Sequence, residues 1–170
     1  MAGLIMREGT TFLIRIATSW PMPTFRPEAV ADIHSPTGTK LKNGMIAKVG
    51  SGSFIWPVPN YKYVSRWMGN GHRGADICAA YGTPIYASDS GTVIAAGWHY
   101  SYGNYVEIDH GNGFITWYGH NSDLYVSVGD HVYKGQTIAA MGSTGISSGS
   151  HCDFRIQRNG TMVDPLNYLP

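Results

Sequence analysis

From position 54 onward the apolar residues fall into short runs, alternating or continuous, separated by glycine turns, and no run of useful length repeats at the helical period. The pattern predicts strands over residues 54–58, 61–68, 83–87, 92–96, 105–109, 114–118, 123–128, 132–134, 137–141, 152–157 and 161–163. Asp89-Ser90-Gly91, His110-Gly111-Asn112-Gly113 and Asn159-Gly160 read as the turns of hairpins. Many short strands without helices predict an all-β, mainly antiparallel domain of the sandwich or barrel-like kind. Residues 1–51 follow a looser pattern. Segments 11–16 and 45–49 are strand candidates, Pro21, Pro23 and Pro27 interrupt what lies between, and Ser35-Pro36-Thr37-Gly38 reads as a turn with His34 in an exposed loop beside it. Gly50-Ser51-Gly52-Ser53 has the composition of a linker, so the expected organisation is an N-terminal segment of unknown role over 1–51 and a domain over 52–170.

Composition narrows the partners. A chain of 170 residues with 43% hydrophobic content suffices for one domain with a real core. Twelve basic against 11 acidic side chains leave a formal charge of +1, and nucleic acid, whose binding is dominated by phosphate neutralisation, is an unsuitable partner. Cys78 and Cys152 are too few for a cysteine metal site and read as buried thiols, with a single bridge between them left open. No apolar run has the length to cross a bilayer. Leu4-Ile5-Met6 and Phe12-Leu13-Ile14 are broken up by Arg7, Glu8 and Arg15, so no secretory signal is legible.

The candidate chemistry begins at Gly71-His72-Arg73-Gly74-Ala75-Asp76, an imidazole and a carboxylate four positions apart between glycines. Both are good ligands for a borderline ion such as zinc. Strand alternation in His151-Cys152-Asp153-Phe154-Arg155-Ile156 puts His151, Asp153 and Arg155 on one face and the apolar set on the other. The same argument puts Tyr118 and His120 together, with Trp117 opposite. A hydrolytic zinc site needs about three protein ligands and a proton acceptor. His72, Asp76 and Asp153 supply candidate ligands for one zinc ion, and His120 and His151 a candidate acid/base pair. A Cys152 nucleophile served by His151 is disfavoured, because alternation separates the two. His99, His110 and His131 read as turn or solvated residues.

Trp56-Pro57-Val58-Pro59, Ser65-Arg66-Trp67 and His72-Arg73-Gly74-Ala75-Asp76-Ile77 resemble the opening of the lysostaphin-type metallopeptidases, peptidase family M23. Tyr81-Gly82-Thr83-Pro84-Ile85-Tyr86-Ala87, Tyr102-Gly103-Asn104-Tyr105-Val106, Tyr118-Gly119-His120, Lys134-Gly135-Gln136, Gly142-Ser143-Thr144-Gly145 and Asp164-Pro165-Leu166-Asn167-Tyr168 follow in order, and the resemblance spans residues 54–170. It implies a β domain of the duplicated hybrid motif type holding one zinc ion, endopeptidase activity on the peptides of bacterial peptidoglycan, and an extracytoplasmic or wall-associated location. By position, His72 and Asp76 match two ligands, and His120 and His151 the two catalytic histidines, with Tyr118 a weaker candidate for contact with the oxyanion. Where the family carries His-x-His, this chain has His151-Cys152-Asp153, which makes the third ligand a carboxylate. A second carboxylate reduces the Lewis acidity of an ion, and aspartate is shorter than histidine by about an ångström. The alternative is therefore a catalytically impaired module of this family that binds wall or partner and regulates other hydrolases. Exposed aromatics such as Trp98, Tyr100 and Tyr102 are compatible with wall binding in either case.

Overall fold

β-Branched and aromatic residues at alternate positions, punctuated by glycines at positive φ, build a sheet in which one face is apolar and the other carries the polar residues of interest. The computed structural model describes residues 49–170. The expected strands at 11–16 and 45–49, the turn at Ser35–Gly38 and the loop at His34 lie outside them, except for Val49. The elements are β1 (Tyr63–Arg66), β2 (Ala75–Cys78), β3 (Pro84–Tyr86), β4 (Gly91–His99), β5 (Gly103–Asp109), β6 (Phe114–Leu124), β7 (His131–Val132), β8 (Thr137–Met141), β9 (His151–Arg158) and β10 (Thr161–Val163), followed by one 3-10 turn at Pro165–Asn167. There is no α-helix among the described residues.

All strand pairings are antiparallel. The main path runs β1-β2-β9-β6-β5-β4-β7, with β10 on β9 and the β3–β8 pair attached through β6. The all-β antiparallel expectation holds, and the sheet is open, not closed into a barrel. Val93, Val106, Ile108, Tyr118, Phe154, Ile156 and Ile77 fill the core from successive strands.

Several local expectations differ: residues 123–128 form no strand of their own, since 123 and 124 end β6 and 125–128 lie in no strand, and β2 was not among the expected strands. Residues 54–58 form no strand, because Pro57 offers no N–H to a ladder; the segment instead inserts Phe54 and Val58 into the core. Asp89-Ser90-Gly91 closes no hairpin, since β3 pairs with β8 while β4 pairs with β5 and β7. Its aspartate accepts from the Gly52 and Ser90 amides, tying the two segments, and its glycine permits close packing: a Cβ there would lie 2.4 Å from the Asp109 carbonyl.

Candidate functional site

Four neighbouring strands meet along one rung. Arg66 of β1 stands opposite Asp76 of β2, Asp76 opposite Asp153 of β9, and Asp153 opposite Gly119 of β6. This register sets the two carboxylates side by side although they lie far apart along the chain. Gly74 makes the approach of β2 to β9 possible, since a Cβ there would fall 2.3 Å from the Phe154 carbonyl. His72 comes from a tight turn in which Asn70 and Gly71 both have positive φ and the Gly69 and His72 backbones bond reciprocally.

His72, Asp76 and Asp153 each offer a ligand atom within 4.8 Å of the others, and all three are buried. His72 Nε2 and Asp76 Oδ1 lie 3.2 Å apart, yet neither has a hydrogen-bond partner. Two buried, unsatisfied donor atoms converging on one point are costly unless something else completes them, and a cation does so. The donor set, one imidazole and two carboxylates, fits a divalent ion such as zinc. Burial lowers the pKa of His72, outweighing the pull of the Asp76 and Asp153 charges, which favours the neutral form of the ring.

His120 and His151 sit beside this cluster with ring centroids 4.5 Å apart. Each is anchored through Nδ1, His120 on the Thr144 carbonyl at 2.7 Å and His151 on the Gly149 carbonyl at 2.8 Å. An Nδ1–H that donates to a carbonyl leaves Nε2 as the free base. His151 Nε2 is 3.8 Å from Asp76 Oδ1. Burial lowers the pKa of His120, and His151 adds to the effect, while the Thr144 contact opposes it. Both rings line a cleft of about 600 Å³ that also borders Asp76 and Arg66.

All five candidate residues are thus brought together, and Cys152 is buried on the opposite face with its thiol pKa raised well above normal by burial. Cys78 and Cys152 are both free thiols. Tyr118 does not reach the site. It is fully buried, its hydroxyl accepts from the Ser88 amide at 2.8 Å, and burial raises its pKa to about 12. Simple alternation misplaces it because β6 carries an extra residue opposite β5, where Asn104 faces Asn121 and Val106 faces Tyr118, and His120 has a φ of 65°. That bulge turns His120 to the polar face while Tyr118 stays in the core.

Two arginines were visible in the sequence without a role. Arg155 grips Asp153 with two bonds, Nε to Oδ1 at 2.9 Å and Nη2 to Oδ2 at 2.5 Å, and donates its Nη1 to the Tyr102 hydroxyl. The Tyr102 ring lies 4.5 Å beneath the guanidinium. Arg66 Nε donates to Asp76 Oδ2 at 2.9 Å. Each carboxylate therefore has a guanidinium behind it, which fixes its orientation while Asp76 Oδ1 stays open toward His72. The only sequence signal was alternation, which put Arg155 on the face of Asp153.

The open antiparallel sheet thus brings one histidine and two aspartates to within 4.8 Å of one another, a set that could hold a metal ion, with two further histidines beside it. Residues 70–165 match the model of peptidase family M23, and the chain belongs to that family. It is 40% identical over 125 residues to the uncharacterized lipoprotein YgeR of Escherichia coli K12, a match covering 72% of this chain and 49% of that protein. It is 40% identical over 94 residues to the peptidoglycan DD-endopeptidase ShyC of Vibrio cholerae, covering 55% of this chain and 22% of the other. It is 34% identical over 140 residues to the murein hydrolase activator EnvC of Escherichia coli K12, covering 77% and 33%. The chain thus spans about half or less of the length of these relatives. Among solved structures, the catalytic domain of lysostaphin from Staphylococcus simulans superimposes with a TM-score of 0.61 at 34% identity, covering 65% of this chain and 93% of that one.

Proposed function

We propose that this chain is a zinc-dependent endopeptidase acting on the peptides of bacterial peptidoglycan at the cell envelope, with His72, Asp76 and Asp153 as the metal ligands and His120 and His151 as the catalytic pair. The observation that carries the reading is the pair of unsatisfied buried atoms, His72 Nε2 and Asp76 Oδ1, with two backbone-anchored imidazoles beside them. When bound, zinc supplies Lewis acidity at the carbonyl to be attacked. The chain's own residues do the rest. One of the two histidines, with Nε2 unprotonated, accepts a proton from the attacking water, while the other, within ring contact of it, steadies negative charge developing on the substrate when it carries protons on both ring nitrogens and donates from Nε2. The wall substrate is supported by relatives named for peptidoglycan or murein.

A second reading has an observation of its own. Arg155 and Arg66 neutralise both carboxylates, so the cluster is charge-balanced by protein groups alone, as suits a module that regulates hydrolases in the manner EnvC's name describes. Release of free amino groups from purified peptidoglycan separates the two. For the enzyme, release is lost with chelator, restored by zinc, and abolished in His120→Ala or His151→Ala variants that remain folded. Protein that stays inert with zinc, both native and as Asp153→His, is the regulator.

A further inference from the structure

Arg66 differs from Arg155 in what it leaves unused. All three nitrogens of Arg155 are engaged, and the residue is buried. Arg66 commits only Nε, to Asp76 Oδ2, while its side chain is 61% exposed and borders the cleft. A register shift in β1 between Val64 and Arg66 marks a bulge, the kind of irregularity that re-aims a side chain at the edge of a site. The remaining cleft wall consists of the Ser65, Ser147 and Ser148 hydroxyls, Ile146, Asp76 and the two imidazoles. Arg66 is thus the one guanidinium of that lining, hydrogen-bonded through Nε with no partner on its Nη edge, the geometry that takes a carboxylate with two parallel bonds.

We infer that Arg66 is a specificity residue that binds a free carboxylate of the substrate peptide close to the bond being cut, so that peptides with that carboxyl ionised are preferred to amidated ones. The inference rests on the endopeptidase reading and names its substrate class. Proximity follows from the chain of contacts: Arg66 touches Asp76, and Asp76 Oδ1 is 3.2 Å from His72 Nε2 and 3.8 Å from His151 Nε2, so an anion on Arg66 lies within about one or two residues of the reacting amide, given ~3.5 Å per residue. Tethering by Asp76 also keeps the guanidinium from folding away into solvent, so little ordering is left for the substrate to impose.

The test uses soluble wall peptides with free carboxyl groups and the same peptides amidated with carbodiimide and ammonia, cut by the native chain, Arg66→Gln and Arg66→Lys. The native chain is expected to favour the free form by about tenfold in kcat/KM, chiefly through KM. Arg66→Gln brings the ratio close to one, and Arg66→Lys retains part of it. The ratio is the readout because any disturbance of Asp76 slows both substrates alike. An unchanged ratio in Arg66→Gln, or a native preference for the amidated form, overturns the assignment. If neither peptide is cut, the endopeptidase reading falls, and calorimetric binding of the two peptides to native and Arg66→Gln chains still decides the carboxylate claim by the same ratio.

Discussion

His120 is a non-glycine residue held at a φ of 65°, a conformation that L side chains rarely adopt. The Tyr102 carbonyl accepts from its amide at 2.7 Å and the Thr144 carbonyl holds its ring, so the surroundings over-determine the strained backbone. Because burial lowers its pKa, His120 is deprotonated over a wider pH range than a free histidine. If it is the base, kcat/KM falls only below about pH 6.5, and a limb centred above neutrality argues for another group. Asp153 gives a second residue-scale prediction. Removing it strands the buried Arg155 guanidinium, so Asp153→Ala should destabilise the chain by about 3 kcal/mol in denaturant melts, and adding Arg155→Met should restore most of the loss. A melt unchanged by Asp153→Ala would mean that the pair carries little weight in solution.

At the scale of elements, the site depends on β2 lying tightly against β9. Gly74→Ala brings a Cβ against the Phe154 carbonyl, so the rung that pairs Asp76 with Asp153 must open. The expected cost is about 2 kcal/mol of stability, with weakened zinc binding, whereas Gly97→Ala on β4, with open space around it, changes stability by less than about 0.5 kcal/mol. Equal effects of the two substitutions would contradict the packing argument. β9 was legible from sequence because strict alternation sorts His151, Asp153 and Arg155 from Cys152, Phe154 and Ile156, and both faces obey it. β6 was not, since one extra residue at its Gly119-His120 step reverses the face of everything beyond it. The groups that hold the site residues were equally hidden, because Arg66 on Asp76, Tyr102 on Arg155 and the Thr144 carbonyl on His120 reach them through register and loop geometry that no local pattern encodes.

At the scale of the whole molecule, a buried polar chain ties the core together. It runs from the Ser88 amide through the Tyr118 hydroxyl, Thr116 Oγ1 and His110 Nε2 to the Ser90 carbonyl at His110 Nδ1. Burial depresses the pKa of His110 against the Ser90 bond and the nearby Asp89 and Asp109 charges. A histidine whose folded pKa is lowered contributes stability that is present above its unfolded pKa of about 6.5 and is lost as the pH falls toward its folded value. Urea midpoints of metal-free protein should therefore drop between about pH 7 and pH 5, with a shallower drop in His110→Gln; a flat profile would contradict a neutral buried ring. The all-β architecture and the convergence of His72, Asp76, Asp153 and His151 could be foreseen from motif order and alternation, and His120 from motif order alone, whereas the arginine pairing behind the carboxylates required the three-dimensional register. The central claim, that residues 72, 76 and 153 share one ion, is tested most directly by anomalous diffraction at the zinc edge from crystals of the zinc-loaded chain. A single strong peak in bonding reach of His72 Nε2, Asp76 Oδ1 and an Asp153 oxygen is expected; a map without that peak, with Asp153 still clasped by Arg155, would contradict the claim.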